Sequence, residues 1–93
     1  MRAIKYTNRF KRDYRREKSG VLGNKLDKLL MEAVNLPAAD QPPPQRYVDH
    51  PLVGDWKDHR DCHIRPDLVL IYRKPDPDNL ELVRLGSHSE LGI

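Results

Sequence analysis

All four histidines of the chain lie in its second half, together with Asp67 and Arg84. These histidines are His50, His59, His63 and His88. Histidine can donate or accept a proton near neutral pH, because its ordinary pKa is about 6.5. Arginine offers a planar, charged donor that matches the oxygens of a phosphate. The residue types together therefore predict proton transfer at a phosphate without a metal ion.

Cleavage of RNA by its own 2′-hydroxyl needs these functions. A base removes the hydroxyl proton, an acid protonates the leaving 5′-oxygen, and positive charge stabilises the phosphorane-like transition state. We expect His63, Asp67, Arg84 and His88 to be neighbours, because they follow one another along a predicted antiparallel meander. His50 lies in a stiff loop before Pro51. Residue types alone leave the alternative that these are ordinary surface and strand residues.

Two other reactive sites are less favoured by the sequence. His59, Cys62 and His63 resemble partial zinc ligands, but Cys62 and His63 are adjacent strand residues and point to opposite faces. Nothing in the sequence activates the thiol of Cys62 as a nucleophile. We therefore expect no metal and no small-molecule cofactor. A single cysteine also excludes an internal disulfide and is typical of a reducing cytoplasm.

Positive charge is concentrated near the N-terminus. Residues 1–46 contain eleven lysines and arginines against five acidic residues, whereas residues 47–93 contain six against nine. This basic segment predicts a polyanion or an acidic protein as partner, and a solvated helix face without a partner is the alternative. No apolar run approaches the roughly 20 residues that span a bilayer. We therefore expect a cytoplasmic protein that does not contact a membrane.

The first half of the chain predicts a strand and two helices. Residues 3–6 can form the strand, and Thr7 or Asn8 can cap a helix that ends at Ser19-Gly20. The second helix begins between residues 22 and 24. It should end at Leu36-Pro37, because the residue before a proline leaves helical angles. A proline-rich surface loop follows to Pro51.

The second half predicts three strands. Residues 55–64 form the first of them, and residues 80–85 form the last, with strict alternation of faces. Between them, Leu68–Arg73 is apolar on both faces and therefore central in the sheet. The element order is β-α-α-β-β-β. We predict one α+β domain over residues 1–93, with a small antiparallel sheet packed against a two-helix hairpin.

Three stretches of the chain resemble the YafQ branch of the RelE/ParE toxin superfamily. They are HPLVGDWK at residues 50–57, RDCHIRPDLVLIY at residues 60–72 and RLGSH at residues 84–88. The resemblance covers essentially the whole chain and implies a microbial RNase (RelE-like) fold. It further implies the toxin of a type II toxin–antitoxin system. Such a toxin is a ribosome-dependent endoribonuclease that cleaves translated mRNA in the A site by metal-independent acid/base catalysis.

The resemblance also implies which residues act. Its catalytic set falls on His50, His63, Asp67, Arg84 and His88. Among these, His88 would act as acid or base near the scissile phosphate, and Arg84 would stabilise the charge of that phosphate. The residues implied to bind substrate or ribosome are Lys57, Leu68, Arg9, Lys11, Arg12, Arg15 and Arg16. Leu68 stands where this branch can carry tryptophan, so base stacking there is lost.

The implied partners are the 70S ribosome with its mRNA and rRNA, and a cognate antitoxin that is usually encoded by an adjacent gene. Two alternatives belong to other functional classes. A ParE-like toxin uses the same fold to inhibit DNA gyrase and would cause DNA breaks without mRNA cleavage. A basic RNA- or DNA-binding domain would bind in a salt-sensitive manner without cleavage or toxicity.

Overall fold

The computed structural model describes residues 1–42 and 44–93, apart from the side chains of Arg46, His50 and Asp55. Its elements follow the chain as β1 (Ala3–Tyr6), α1 (Asn8–Lys18), α2 (Gly23–Ala38), β2 (His50–Pro51), β3 (Arg60–Arg65), β4 (Leu68–Asp76), β5 (Asn79–Gly86) and α3 (His88–Leu91). The predicted order is confirmed, and the two-residue β2 and the short α3 are additions to it. No helix in this part of the chain is long and apolar enough to cross a membrane.

The five strands form one mixed sheet in the order β1-β5-β4-β3-β2. Neighbouring strands from β2 to β5 pair antiparallel, and this was predicted for the three strands β3, β4 and β5. β1 instead runs parallel to β5, with Ile4 opposite Leu80. The α+β class is thus confirmed, but the sheet is not purely antiparallel as the sequence predicted. A parallel pair needs a long crossover connection, and the whole segment from α1 to β4 provides it here.

β4 lies at the centre of the sheet and is buried on both faces, as predicted. Leu70 and Tyr72 belong to the main core beneath α1 and α2. Val69 and Ile71 belong to a smaller cluster on the other face, which includes Leu91 of α3. Burying one such leucine or isoleucine side chain contributes about 1.5–3 kcal/mol. The two clusters therefore hold the helix hairpin and α3 on opposite faces of the same strand.

The helix hairpin differs from the prediction at one end. Thr7 is the N-cap of α1, since its Oγ1 accepts the N–H of Phe10 at 3.0 Å. α2 continues through Pro37 to Ala38, so the predicted end at Leu36-Pro37 is wrong by about one residue. Pro37 lacks an N–H, but the N–H of Ala39 still donates to Asn35 O. The helix therefore tolerates the proline in its last turn.

The strand predicted over residues 55–64 is shorter than expected. β3 begins only at Arg60, after a 3₁₀ turn at Gly54–Trp56. Gly54 and Asp58 have φ angles of 70° and 69°, which interrupt an extended backbone. The chain before β3 is therefore a shaped loop that leads from β2 into the sheet.

β5 contains a bulge that the alternating pattern does not reveal. Its register to β4 shifts between the pairs Ile71–Arg84 and Tyr72–Leu82. Leu82 and Leu85 consequently share the main core, whereas strict alternation predicts that they lie on opposite faces. The bulge lies directly beside Arg84, one of the predicted catalytic residues.

Candidate active site

Three of the five predicted catalytic residues lie together where β3, β4 and β5 are paired. His63 pairs with Val69 of β4, and Val69 pairs with Gly86 of β5. The segment that follows β5 therefore returns to the side of His63. The rings of His63 and His88 are 5.0 Å apart between centroids and nearly perpendicular, at 87°. Asp67, in the turn between β3 and β4, contacts His88 from this same end of the sheet.

One carboxylate oxygen of Asp67 contacts two atoms of His88. This oxygen, Oδ1, lies 3.3 Å from Nδ1 of the imidazole and accepts the backbone N–H of His88, also at 3.3 Å. These hydrogen bonds, that to the ring first, lower the pKa of Asp67. An ionised carboxylate can only accept, so the contact holds a proton on Nδ1 and leaves Nε2 for proton exchange.

A capping box fixes the start of α3, where His88 lies. Ser87 Oγ accepts the N–H of Glu90 at 3.1 Å, and Glu90 Oε1 accepts the N–H of Ser87 at 2.9 Å. This reciprocal arrangement satisfies two free donors of the helix terminus. His88 is consequently the first residue of an ordered helical turn, held at its backbone and at its ring.

Asp61 is a buried neighbour of the site that the sequence analysis did not assign. Its Oδ2 lies 3.3 Å from Nε2 of His63, and the residue is 2% exposed. Asp61 and His63 alternate on β3 and therefore share a face, which is the signal that could have identified Asp61. His63 thus lies between a carboxylate and the ring of His88.

Arg84 is held by another carboxylate that the sequence analysis missed. Its Nε donates to Oδ2 of Asp13 at 2.6 Å, and its Nη2 donates to Oδ1 at 3.2 Å. Asp13 lies on α1 and is 3% exposed. Among the side chains that the structure describes, the guanidinium of Arg84 forms its hydrogen bonds and ion pair with Asp13 and not with His63, Asp67 or His88. The structure therefore brings Arg84 to the helix hairpin rather than into direct contact with the histidine pair.

Asp13 accepts two further donors. They are the N–H of Leu85 at 3.0 Å and Nη1 of Arg16 at 3.2 Å. Burial alone would raise the pKa of this carboxyl, but the hydrogen bonds from Arg84 and Leu85 and the charges of both arginines outweigh burial and lower it. An acidic residue three positions after the buried Phe10, in a helix with six lysines and arginines, was the available signal.

Arg16 differs from the other basic residues predicted to bind RNA. Its Nη2 donates to Leu85 O at 2.9 Å, and its Nε lies 3.1 Å from Glu90 Oε2. It therefore links α1 to both β5 and α3. The other basic residues of α1 that were predicted to bind RNA are exposed and form no salt bridge with the part of the chain that the structure describes: Arg9, Lys11, Arg12 and Arg15.

The remaining predicted residues differ in their position relative to the site and in their exposure. The backbone of His50 pairs with Asp61 of β3, so its position adjoins the site. The side chain of His50 lies outside the described part of the structure, and its catalytic role stays a prediction. Lys57 is exposed. Leu68 is 3% exposed and belongs to the main core, which argues against the substrate contact predicted for it.

Asp49, the residue before His50, is anchored to the sheet. Its side chain is 4% exposed and accepts hydrogen bonds from the hydroxyl of Tyr72 and from Nε of Arg60, the latter at 2.6 Å. Burial and the bond to Asp49 raise the pKa of Tyr72, so the phenol remains a donor at neutral pH. This anchor fixes the backbone of β2 beside β3.

The thiol of the chain is not activated. Cys62 is 2% exposed, and burial raises its pKa to about 12. Among the side chains that the structure describes, no group of three or more His, Cys, Asp or Glu residues could hold a metal ion. The described groups suited to proton transfer at this end of the sheet are therefore the imidazoles and their carboxylates.

One known protein family matches nearly the whole chain. The family described as "Bacterial toxin of type II toxin-antitoxin system, YafQ" matches residues 2–92. The mRNA interferase toxin YafQ of Escherichia coli is 37% identical over 91 residues, covering 97% of this chain and 95% of that protein. The crystal structure of YafQ from E. coli has a TM-score of 0.83 at 32% identity, with 98% of each chain covered. A chain of the E. coli DinJ-YafQ complex has a TM-score of 0.75 at 34% identity, again with 98% of each covered.

Proposed function

Because the chain belongs to the YafQ family of bacterial type II toxins, which matches residues 2–92, we propose that it is an mRNA interferase. It is a ribosome-dependent endoribonuclease that cleaves translated mRNA in the A site. The relative named as an mRNA interferase supports the class of activity. The observation that carries the proposal is the perpendicular contact between His63 and His88, with Asp67 on Nδ1 of His88.

The two imidazoles supply both proton transfers of the reaction. One neutral imidazole takes the proton of the 2′-hydroxyl while the 2′-oxygen forms a bond to phosphorus. The bond from phosphorus to the 5′-oxygen breaks, and the other imidazole, in its protonated form, gives that oxygen a proton. The products are a 2′,3′-cyclic phosphate and a 5′-hydroxyl, and the cyclic phosphate can open to a 3′-phosphate. His88 offers Nε2 for one of these transfers, because Asp67 occupies Nδ1.

Negative charge on the phosphate oxygens increases in the transition state. Arg84 is the cation proposed to stabilise it, since charged donors act most strongly where water is excluded. The side chain of Arg84 is 13% exposed. His50 is proposed to complete the set from β2, whose backbone pairs with β3.

We propose that residues 1–93 act as one toxin domain in the cytoplasm, where its substrate, the translated mRNA of the 70S ribosome, is found. Ribosomal RNA or the mRNA backbone is bound by Lys57 and by the exposed basic residues of α1, which are Arg9, Lys11, Arg12 and Arg15. This binding weakens as the salt concentration rises. A cognate antitoxin, encoded by an adjacent gene, neutralises the toxin. The DinJ-YafQ complex of E. coli supports this partner class.

Primer extension on a reporter mRNA after brief induction tests the proposal, with wild type, His88→Ala and His59→Ala compared. His59 is the matched control, because the described contacts of its side chain are with the ring of Trp56 and the backbone oxygen of Lys57. We expect in-frame cuts in wild type and His59→Ala, and no cuts in His88→Ala. The new 5′ ends should require a kinase before ligation, as 5′-hydroxyls do.

Three outcomes contradict the proposal. Cleavage by a folded His88→Ala variant would exclude the assigned chemistry. Intact message with accumulated DNA breaks would indicate the gyrase-inhibiting class, and neither arrest nor cleavage would leave a nucleic-acid-binding domain. The same comparison on purified ribosomes with a defined mRNA separates direct cleavage from cellular degradation.

A further inference from the structure

One carboxylate holds both the guanidinium of Arg84 and the backbone next to it. Asp13 binds Nε and Nη2 of the guanidinium and also accepts the N–H of Leu85, the next residue of β5. A guanidinium carries five N–H donors. Asp13 uses the side formed by Nε and Nη2, so the end formed by Nη1 and the second Nη2 hydrogen stays unused within the described residues. This end is a fork of two parallel donors, the geometry that matches phosphate oxygens.

The same contacts extend to the segment that carries His88. Arg16 contacts Asp13 and lies 3.1 Å from Glu90 Oε2. Glu90 in turn accepts the N–H of Ser87 in the capping box of α3. A continuous chain of charged contacts thus joins the residue that holds Arg84 to the helical turn that begins with His88.

We propose that Asp13 is a positioning residue, which orients Arg84 so that its Nη1–Nη2 end faces the scissile phosphate. This inference rests on the proposed function, in which Arg84 stabilises the charge of that phosphate. Asp13 itself does not touch substrate, because it is 3% exposed and its oxygens are occupied by Arg84, Leu85 and Arg16. Its effect must therefore appear in the chemical step rather than in ribosome binding.

Asp13→Asn tests the inference, since the amide has the same shape but lacks the charge and presents N–H donors to a guanidinium. Cleavage of mRNA on programmed ribosomes should show a kcat at least about tenfold lower, because small misplacements of a catalytic group are costly. The KM for programmed ribosomes should change by less than about twofold. Asp40→Asn is the control: its carboxylate binds Arg2 and Lys74, away from the site, and kcat should not change.

Two further measurements separate orientation from stability. In an Arg84→Ala background, Asp13→Asn should cause no further loss of kcat, since residues that act as one unit are not additive. In wild type, the Nε–H of Arg84 should exchange with water more slowly in NMR spectra than that of the exposed Arg12. This second readout needs no variant of Asp13 and holds if that variant does not fold.

The outcomes distinguish this inference from the function on which it rests. A folded Asp13→Asn with unchanged kcat, beside an inactive Arg84→Ala, overturns the role of Asp13 and leaves the proposed function intact. Fast exchange of the Arg84 Nε–H in wild type also overturns it. If Arg84→Ala cleaves normally, the catalytic role of Arg84 is wrong and the inference falls with it. A lower kcat, an unchanged KM and non-additivity together support it.

Discussion

Oδ1 of Asp67 lies 3.3 Å from Nδ1 of His88 and accepts the backbone N–H of the same residue. One carboxylate oxygen therefore fixes both the ring and the first peptide of α3. The side chain of Asp67 is 75% exposed, so this contact is formed at the surface and not in the core. The contact therefore orients the imidazole of His88 and adds little to the stability of the fold.

Replacement of this carboxylate should consequently affect cleavage much more than folding. We expect Asp67→Asn to lower the single-turnover cleavage rate on programmed ribosomes by at least about tenfold, because the preferred proton position on His88 is lost. The free energy of unfolding should change by less than about 0.5 kcal/mol. Asp78→Asn, in the exposed turn between β4 and β5, is the control. Equal cleavage by both variants would contradict the orienting role.

Two tyrosine–aspartate pairs differ in burial and permit a matched comparison. The hydroxyl of Tyr72 donates to Asp49, whose side chain is 4% exposed, whereas Tyr14 donates to Asp27, whose side chain is 56% exposed. Tyr72→Phe removes a donor from a buried charge and should lower the free energy of unfolding by about 1–3 kcal/mol. Tyr14→Phe should lower it by less, because water replaces the lost donor.

Urea denaturation of the two variants measures this difference. A loss for Tyr14→Phe as large as that for Tyr72→Phe would show that burial of the acceptor does not decide the effect. Tyr72→Phe should also lower the rate of mRNA cleavage if the hydrogen bond between Tyr72 and Asp49, which anchors β2, positions His50. Cleavage at the wild-type rate, beside a clear loss of stability, would restrict Tyr72 to the fold.

The elements with local signals are predictable from this sequence. The apolar run of β4 predicts a central strand, and Thr7 predicts the start of α1, because both signals lie within a few neighbouring residues. The motifs likewise identify His63, Asp67 and His88, whose mutual contacts depend only on consecutive antiparallel strands. The meander makes such residues neighbours whatever the loops between them do.

Contacts between distant elements are not predictable in this way. Asp13 and Arg84 are 71 positions apart, and no periodicity of either segment reports their pairing. The motif predicts a catalytic role for Arg84 but cannot show that a carboxylate of α1 binds it. The parallel pairing of β1 with β5 is likewise set by the rest of the sheet, because β1 adds to the edge that β5 leaves open. The four residues of β1 do not by themselves predict that edge or the direction of pairing.

Gly86 allows Arg16 to pass close to β5. A Cβ at this position would lie 2.8 Å from Nη2 of Arg16 and 3.2 Å from Oε1 of Glu90. Gly86→Ala should therefore displace Arg16 and break its hydrogen bond to Leu85 O. We expect the free energy of unfolding to fall by about 1 kcal/mol, as for one net hydrogen bond. Urea denaturation measures this change.

A double-mutant cycle identifies the cause of that loss. When Arg16→Ala is already present, the obstacle is gone and Gly86→Ala should cost clearly less. An equal cost in both backgrounds would show that the close approach of Arg16 is not responsible.

Cys62 should be unreactive in the folded protein. Burial raises the pKa of its thiol to about 12, and the nucleophilic thiolate is therefore scarce at neutral pH. We expect an aromatic disulfide reagent to label the native protein only at the rate of unfolding, and to label it at once in urea. Rapid labelling of folded protein at pH 7 would contradict both the burial and the raised pKa.

The lowered pKa of Asp13 predicts how stability depends on pH. A carboxyl whose folded pKa lies below its ordinary value of 3.8 adds stability above that value, and this stability is lost as the pH falls through the folded pKa. Wild type should therefore exceed Asp13→Asn in free energy of unfolding at pH 7. The difference should shrink progressively below about pH 4, where protonation of Asp13 removes its advantage.

Urea denaturation of both proteins between about pH 7 and pH 2 measures this difference. Asp40→Asn is the comparison, since its ion pairs with Arg2 and Lys74 involve a carboxylate that is 53% exposed and screened by water. The gap between wild type and Asp40→Asn should be small throughout. A gap for Asp13→Asn that stays constant down to the lowest pH would mean that shape rather than charge explains the effect. The ionised pair of Asp13 and Arg84 would then not be what holds α1 on β5.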